Sequence, residues 1–303
     1  MLKRTYGIVL KNTVFGEADL IVTYLTPHFG LLRAFAKSPR KVRSRFGSSL
    51  EPLTYARISF FGKEEASLPR LTQSDIIKPF HVLRCDFKRL LNVSEILELC
   101  LNFLPEREPA PEIFKLLLHM MTMLESNADN RLFYLYYKMR FLQSAGYAPR
   151  LAACGKCGTA TGSLKSRETL QGGGRGSLKS RETLQGGGTG SLKSRETLQG
   201  GGRGASCTGQ SEYHNFYVPH GTVICSRCFN GEGEFVRLSQ SALRFHESLL
   251  KWDPSAIDRV NAPGHLVEEL MDMIDAHISH VLGPSRFAWK MEKERSASSV
   301  GRA

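Results

Sequence analysis

Two pairs of cysteines are the residues in this sequence best suited to chemistry. The stretches CGKC and CSRC place Cys154 with Cys157 and Cys225 with Cys228, each pair separated by two residues. A tight turn of this kind directs two thiolates at one ion, and two such turns complete a tetrahedral shell of four sulfurs. The pattern therefore predicts a zinc site. Because four thiolates leave no open position for a substrate or a water, we expect the zinc to be structural.

A triplicated segment of fourteen residues separates the two cysteine pairs. The sequence SLKSRETLQGGG begins at Ser163, Ser177 and Ser191, and 67 residues lie between the pairs. Without the three copies the interval falls to 25 residues, close to the roughly 15–20 of four-cysteine ribbons. The longer loop costs about 0.9 kcal/mol of closure entropy, whereas structural zinc binding is worth about 10 kcal/mol or more. We expect this insert, residues 162–204, to be a flexible basic loop in an intact metal site.

Other residues offer alternatives to this assignment. Cys207, His214 and His220 lie between the pairs and could act as substitute ligands. A redox role for either pair has less support, because no thioredoxin-like strand and helix surround it. Cys85 and Cys100 have no ligand-type neighbours in the sequence, and we expect both to be ordinary buried thiols.

Positive charge is concentrated in two parts of the chain. The 303 residues carry a formal net charge of +12. Residues 1–80 hold thirteen Lys and Arg against six Asp and Glu, and the insert holds eight against three. The rest of the chain is neutral overall, so the positive field of the folded part belongs to the N-terminal segment. We expect an acidic polymer there, either a nucleic acid or an anionic membrane surface.

The N-terminal segment has the pattern of a small β barrel. Five short stretches are rich in β-branched and aromatic residues and are separated by turn-forming sequences such as FGEA and PHFG. The predicted strands are Thr5–Val14, Asp19–Thr26, Leu31–Lys37, Thr54–Phe61 and Arg70–Phe80. Five short strands in about eighty residues favour a closed barrel of the oligonucleotide-binding (OB) type over a sandwich.

The loop between the third and fourth predicted strands carries the densest positive charge. Its sequence KSPRKVRSRFGSS contains no acidic residue, and Pro39 and Gly47 favour an irregular conformation. Its cations can spread along a phosphodiester backbone, although an ordinary solvated loop can have the same composition. We predict a DNA-binding surface made of Lys37, Arg40, Lys41, Arg43 and Arg45 in the loop, with Arg33 on the strand before it.

Aromatic residues in the same segment could stack on nucleic-acid bases. OB barrels combine a basic groove with such stacking platforms. The available side chains are Tyr6, Phe35, Tyr55, Phe60 and Phe61. Each of them could also fill the barrel core, which is the more common location for such residues.

From Lys88 onward, apolar residues recur at helical spacing. Helices are predicted over residues 88–104, 112–124, 131–146, 239–252 and 264–283. Ser239 is placed to cap the fourth of these helices. No apolar run reaches the roughly 18–20 residues that span a bilayer, and no signal-peptide pattern follows Lys3 and Arg4, so we expect the chain to stay in the cytosol.

The sequence resembles the RecO family of recombination mediators over nearly the whole chain outside the insert. The stretch GIVLKNTVFGEADLIVTYLTPHFGLLRAFAKSPRK is similar to the opening of those proteins, in which an xGExD turn leads to TxxxGxxxxxAKGxRK. The matching residues are Gly16, Glu17, Asp19, Thr26, Gly30, Ala36, Lys37, Arg40 and Lys41. Similarity continues in LEPLTYARISFF, IIKPF, FLQSAGYAPRLAACGKCG and FYVPHGTVICSRC. Ser38 stands where the family often has Gly, and the insert has no recognised counterpart.

The resemblance implies a DNA-binding protein without catalytic activity. It implies an OB barrel, a helical domain and a zinc module whose ligands are Cys154, Cys157, Cys225 and Cys228. The implied activity is to bind single-stranded and double-stranded DNA, to anneal complementary strands, and to help RecR load the RecA recombinase onto DNA coated by single-strand binding protein. An RNA-binding or ribosome-associated zinc-ribbon protein would share the basic barrel and the cysteines, and it stays the alternative.

The expected fold class is α+β, an N-terminal five-stranded OB barrel followed by an α-helical domain that carries a four-cysteine zinc-ribbon-like module. The expected segments are an OB domain over residues 1–80, a helical part over 81–150, a zinc module over 151–233 that contains the insert, a second helical part over 234–290, and a disordered tail over 291–303. We expect a cytoplasmic, nucleoid-associated protein that is neither an enzyme nor bound to a membrane.

Overall fold

A closed barrel of five strands forms the N-terminal part of the molecule. The structure is a computed structural model that describes residues 1–41, 44–62, 68–126, 131–161 and 213–283. The strands are β1 (Leu2–Phe15), β2 (Asp19–Thr26), β3 (Gly30–Ala36), β4 (Tyr55–Phe61) and β5 (Arg70–Lys78). They pair in the order β1-β2-β3-β5-β4, and β4 returns to β1. The predicted five-stranded OB barrel is confirmed.

The length of β1 allows the barrel to close. Its 14 residues pair with β4 over residues 2–8 and with β2 over residues 8–15. The register shifts between Val9 and Lys11, and a bulge of this kind bends a strand and increases its twist. The first half of β1 therefore pairs with β4 and the second half pairs with β2.

Side chains on the strands alternate between the barrel interior and its outer surface. The interior cluster contains Val22, Ile58 and Leu71 from three different strands. Phe46 and Leu50, from the loop between β3 and β4, belong to the same cluster. Because these two apolar residues are buried with the barrel core, they anchor the polar part of the loop against the barrel.

Six α-helices follow the barrel in the described part of the chain. They are α1 (His81–Cys85), α2 (Phe87–Phe103), α3 (Pro111–Ser126), α4 (Arg131–Ser144), α5 (Gln240–Lys251) and α6 (Gly264–Leu282). The five predicted helices are confirmed, and the additional α1 is too short to show a helical period. Among the described residues, no helix combines the length and the apolar composition needed to cross a bilayer.

One hydrophobic core joins the barrel to the helices. Ile8, Leu25 and Leu31 on the outer surface of the barrel belong to the same cluster as the buried residues of the helices. The central helix α4 is buried on most of its circumference, as expected for a helix that is apolar on nearly all sides. The predicted domain boundaries stay a prediction.

A buried ion triad connects three of the helices. Lys138 of α4 is 3% exposed, and its Nζ lies 2.5 Å from Glu95 Oε1 on α2 and 2.8 Å from Asp275 Oδ1 on α6. Burial alone would lower the pKa of Lys138, but the charges of Asp275 and Glu95 raise it above its usual value. Lys138 therefore stays charged in the core and draws α2 and α6 onto α4.

A small antiparallel sheet lies beside the C-terminal helices. Its strands β6 (Tyr213–Tyr217), β7 (Thr222–Ile224) and β8 (Phe235–Ser239) are arranged in the order β7-β6-β8. The sequence reading did not predict this sheet, because strands of three to five residues are too short to establish a period of two. Ser239 ends β8, and its Oγ accepts a hydrogen bond from the Ala242 N–H, which confirms the predicted cap of α5.

The two cysteines outside the pairs have different environments. Cys100 lies fully buried on α2, and burial raises the pKa of its thiol to about 12. Cys85 is exposed at the end of α1, so the expectation that it is buried was wrong. The physical reason is that the single turn of α1 buries only Leu83.

Candidate metal centre and nucleic-acid interface

The first cysteine pair lies in a tight turn of the chain between α4 and the insert. The Cys154 N–H donates to the Thr159 carbonyl at 2.8 Å, and the Gly158 N–H donates to the Cys154 carbonyl at 2.9 Å. Gly158 has a φ of +72°, a left-handed conformation that glycine adopts without steric cost. The turn brings the sulfur atoms of Cys154 and Cys157 close together.

The second cysteine pair directly follows β7. The Cys228 and Phe229 N–H groups both donate to the Cys225 carbonyl, each at 3.0 Å. These bonds curl the chain into a turn immediately after a strand. The two pairs are thus built by similar turns on different parts of the chain.

Backbone hydrogen bonds hold the two turns side by side. The Arg150 N–H donates to the Gly221 carbonyl at 2.8 Å, and the Gly155 N–H donates to the Val223 carbonyl at 2.9 Å. A Cβ at position 155 would lie 2.4 Å from Thr222 Cγ2, much closer than van der Waals contact. The glycine between the first two cysteines therefore permits this close approach.

The four cysteine sulfurs have the spacing of a zinc site. The Sγ atoms of Cys154, Cys157, Cys225 and Cys228 all lie within 4.8 Å of one another, and those of Cys157 and Cys225 are 3.7 Å apart. Tetrahedral coordination with Zn–S bonds of about 2.3 Å requires about 3.8 Å between sulfurs. The donor set and its geometry fit a four-coordinate zinc ion with no position left for substrate.

Hydrogen bonding favours the thiolate form in the first cysteine pair. Hydrogen bonds with Thr159 lower the pKa of Cys157 to about 6. Burial opposes the thiolate form of Cys154, but backbone hydrogen bonds from the Cys225, Cys157 and Lys156 N–H groups lower its pKa below the usual value. Burial raises the pKa of Cys225 to about 12. A bound cation would displace the remaining protons, because metals bind the thiolate form.

The substitute ligands suggested by the sequence do not join this cluster where the structure describes them. His214 Nε2 lies 2.7 Å from Gln240 Oε1, and the ring of His220 packs 5.1 Å from that of Tyr217. Across the described residues, the four cysteines are the only group with ligand atoms this close together. Cys207 and the insert, residues 162–204, lie outside the described residues.

The predicted basic surface is exposed wherever it is described. Lys37, Arg40, Lys41 and Arg45 are exposed on and beside the loop between β3 and β4. None of these four forms an ion pair with a residue of the described part. Arg43 lies outside the described residues. The exposed cations are therefore available to an anionic ligand, and their binding role stays a prediction.

Specific contacts fix the basic loop to the barrel. The Ser38 N–H donates to Asp19 Oδ1 at 2.6 Å, and Arg40 Nη1 donates to the Glu17 carbonyl at 3.1 Å. The Arg45 guanidinium lies 4.8 Å from the centre of the Phe46 ring. The Asp19 carboxylate at the start of β2 therefore helps to order the loop that carries the cations, whereas position 17 contributes only its backbone carbonyl.

Arg33 differs from the other predicted cations because it has an acidic neighbour. Its Nη1 lies 3.5 Å from Glu106 Oε1, and both side chains are about half exposed. An exposed pair of this kind is weak, and the DNA-binding role of Arg33 stays a prediction. Glu106 lies 73 residues away along the chain, which is why the sequence did not indicate this pairing.

The candidate aromatic residues divide between core and surface. Phe60 is 4% exposed inside the barrel, Phe35 and Tyr55 are half-buried, and Tyr6 and Phe61 are 47% and 57% exposed. Alternation along β4 explains why the adjacent Phe60 and Phe61 have opposite environments.

Phe15 is an exposed aromatic residue that the sequence reading missed. It is 52% exposed at the end of β1, and its ring packs edge-on against Phe35 with centroids 5.9 Å apart. The pair lies on the strands that lead into the Glu17 turn and the basic loop. The sequence did contain a signal for this exposure: Phe15 directly precedes the Gly16–Glu17 turn, and a residue at the end of a strand has few core residues to pack against.

Ser38 has a backbone conformation that favours glycine. Its φ is +55°, which costs a residue with a side chain about 1–2 kcal/mol. We expect Ser38→Gly to raise the free energy of unfolding by about 0.5–1 kcal/mol, because the relieved strain exceeds the added entropy of the unfolded chain. Urea unfolding measures the change. Ser48→Gly in the same loop, where φ is not positive, is the matched control and should lower the free energy of unfolding. If Ser38→Gly also lowered it, the backbone strain assigned to Ser38 would be contradicted.

Comparison with known proteins assigns the chain to a family. The family model described as "Recombination protein O N terminal" matches residues 1–80, and "Recombination protein O C terminal" matches residues 84–190. The DNA repair protein RecO of Thermodesulfovibrio yellowstonii is 34% identical over 299 residues, which cover 97% of this chain and 98% of that protein. RecO proteins of Syntrophus aciditrophicus and Koribacter versatilis are each 34% identical, over 51% and 52% of this chain and 60% and 64% of their own length. The chain belongs to the RecO family of DNA repair and recombination proteins.

Proposed function

We propose that this protein is a recombination mediator that binds single-stranded and double-stranded DNA, anneals complementary strands, and helps RecR load RecA onto DNA coated by single-strand binding protein. Family membership and the implied activity of RecO proteins support the proposal. We place its action at the nucleoid, where these substrates and partners meet.

The exposed basic loop is the observation that carries the DNA-binding part of the proposal. Lys37, Arg40, Lys41 and Arg45 are exposed on and beside the loop that follows β3, and Lys37 lies two residues beyond Phe35 of the Phe15–Phe35 pair. Cations held by a rigid scaffold neutralise phosphates and release counterions, which gives strong and sequence-independent binding. Neutralised strands repel each other less, and base pairing between them can then proceed.

The proposed role of zinc is structural. Bound by Cys154, Cys157, Cys225 and Cys228, it would join the segment after α4 to the end of β7 and supply a fixed crosslink between two distant parts of the chain. The four thiolates would saturate the ion. We accordingly propose a binding and assembly function without catalysis.

Charge reversal in the basic loop tests the proposal. We expect Arg40→Glu with Lys41→Glu to weaken single-strand binding about 10–100-fold at moderate salt and to slow annealing to a similar degree, because two phosphate contacts become repulsive. The measurement is the annealing rate of two labelled complementary oligonucleotides, with circular dichroism to confirm that the fold persists.

A control with the same change in net charge isolates the effect of the loop. Arg237 of β8 and Arg244 of α5 are exposed cations in the C-terminal half, and Arg237→Glu with Arg244→Glu should leave annealing within about twofold of the parent. If both variants lost annealing activity equally, the effect would come from the change in net charge and not from the loop. Unchanged annealing in the loop variant would refute the proposed surface, and stronger binding of structured RNA than of single-stranded DNA would favour an RNA-binding function.

A further inference from the structure

Exposed aromatic and cationic side chains continue around the barrel beyond the basic loop. Strand pairing places Phe35 of β3 opposite Arg70 of β5, and Arg70 opposite Phe61 of β4. Directly paired residues point to the same face of a sheet, and neighbouring strands lie about 4.8 Å apart. Phe35 and Phe61 therefore bracket the exposed Arg70 over about 10 Å on the outer surface of the barrel.

The same outer surface extends along β1 and β4. Phe61 pairs with Leu2, and Arg4 and Tyr6 follow Leu2 at intervals of two residues, so all of them face outward. Arg57 of β4 pairs directly with Tyr6. Since two residues advance about 6.6 Å along a strand, Arg4 lies midway between the rows of the two exposed aromatic rings. This alternation suits an extended single strand, whose phosphates and bases also alternate.

The Tyr6 ring is held in position by the core. Its centroid lies 6.1 Å from that of Tyr55, which in turn lies 6.1 Å from the Phe114 ring of α3. Phe114 is buried in the helical core. A base that stacks on Tyr6 would therefore meet a ring that is already ordered, which reduces the entropy lost on binding.

The arginines of this surface keep their charge available. Arg4, Arg57 and Arg70 are exposed and form no ion pair with any residue in the described part of the chain. Asp75 pairs with Arg57 across the strands, but its Oδ2 accepts a hydrogen bond from Gln73 Nε2 at 2.8 Å. Within the residues that the structure describes, this surface therefore has three cations, with one carboxylate opposite Arg57.

The surface is continuous with the basic loop. Arg45 Nη2 donates to the carbonyl of Leu71 at 3.4 Å, and Leu71 is the residue that follows Arg70. Arg45 of the loop and Arg70 are consequently close to each other at the start of β5. A strand bound by the loop can therefore continue towards Arg70.

We propose that Arg70, Phe61, Arg4, Arg57 and Tyr6, the outer track, bind single-stranded DNA. The arginines contact phosphates, and unpaired bases stack on Phe61 and Tyr6. Because bases in a duplex are already stacked on one another, the aromatic rings of the outer track add affinity for single strands and none for duplex. The inference rests on the proposed DNA-binding function and adds to it a source of single-strand preference outside the basic loop.

The experiment compares two substrates and two variants of the full chain. Fluorescence anisotropy measures binding to an oligonucleotide of about 16 nucleotides, the upper range for one OB barrel, and to the duplex of the same sequence. We expect Tyr6→Ala with Phe61→Ala to weaken single-strand binding about tenfold or more, since each stacked base contributes appreciably, and to leave duplex binding within about twofold. Tyr6→Phe with Phe61→Tyr retains both rings and should bind both substrates like the parent.

The controls separate this inference from the proposed function. Phe87→Ala removes an aromatic side chain that is 74% exposed at the start of α2, and it should change neither affinity. If the outer-track variant retains the single-strand preference while the Arg40→Glu, Lys41→Glu variant loses DNA binding, the outer track is refuted and the basic loop stands. Base stacking would also be refuted if Tyr6→Ala with Phe61→Ala weakened binding to the single strand and to the duplex equally. The same holds if this variant bound DNA like the parent but no longer bound a protein partner. Parental DNA binding by the loop variant would refute the proposed function itself.

Discussion

Replacing Cys154 and Cys225 together by serine should abolish zinc binding and lower the free energy of unfolding by several kcal/mol. These two residues come from different turns, and the Cys225 N–H donates to Cys154 Sγ at 3.4 Å, so the double variant removes one ligand from each side. Structural zinc contributes on the order of 10 kcal/mol in small modules. The loss should spread beyond the metal site, because Leu151 and Val223 next to the ligands belong to the helical core.

Metal analysis and thermal unfolding measure this effect, and Cys85→Ser provides the control. Cys85 is an exposed cysteine remote in sequence from the cluster, and its substitution should leave both the metal content and the midpoint unchanged. A strong chelator should lower the midpoint of the parent and leave the double variant unaffected. The assignment would be contradicted if the double variant retained one equivalent of zinc, or if the chelator left the unfolding midpoint of the parent unchanged.

Replacing Lys138 by methionine is expected to cost about 3–5 kcal/mol of stability. The substitution removes the cation shared by Glu95 and Asp275, whose side chains are only 14% and 19% exposed. Breaking a buried ion group costs this much because charge stays behind in a medium that solvates it poorly. Adding Glu95→Gln and Asp275→Asn should recover part of the loss, since the two buried like charges are then neutral.

Denaturant unfolding of Lys138→Met measures the loss, with Lys115→Met as its control. Lys115 pairs with Glu112 on the surface of α3, and both side chains are more than two-thirds exposed. Removing this pair should cost less than about 0.5 kcal/mol. A similar small loss for Lys138→Met would contradict the buried role of the triad.

The pH dependence of the Lys138 contribution follows from the direction of its pKa shift. The pKa is raised in the folded protein relative to about 10.4 in the unfolded chain. The stabilisation is therefore fully present below about pH 10.4 and is lost as the pH rises through the folded pKa. The stability difference between the parent and Lys138→Met should thus shrink in strongly alkaline solution relative to its value near neutral pH.

Features that depend on local pattern could be predicted from the sequence. The five barrel strands, the helices and the paired cysteines all repeat over short intervals, and the basic loop lies between two strands with Phe46 buried beneath it. Features that depend on contacts between residues far apart in the sequence could not be predicted. Phe60 and Phe61 are chemically identical neighbours, and only the closure of the barrel decides which of them faces solvent.

The acidic partners of individual cations could not be predicted from the sequence for the same reason. Arg33 and Lys138 are both cations in an apolar context, yet Arg33 pairs at the surface with Glu106 and Lys138 is buried with Glu95 and Asp275. Each partner is contributed by a segment far away in the sequence. The outer track is a further example, since strand register brings residues of β1, β4 and β5 together.

The salt dependence of single-strand binding tests the central claim that the basic loop binds the phosphate backbone. The equilibrium constant is measured by anisotropy over a series of salt concentrations for the parent and for Arg40→Gln with Lys41→Gln. Each lost phosphate contact should reduce the slope of log K against log salt by about 0.7. We predict a slope shallower by about 1.4 for the double variant, with weaker binding at low salt. A slope and affinity equal to those of the parent would contradict the account.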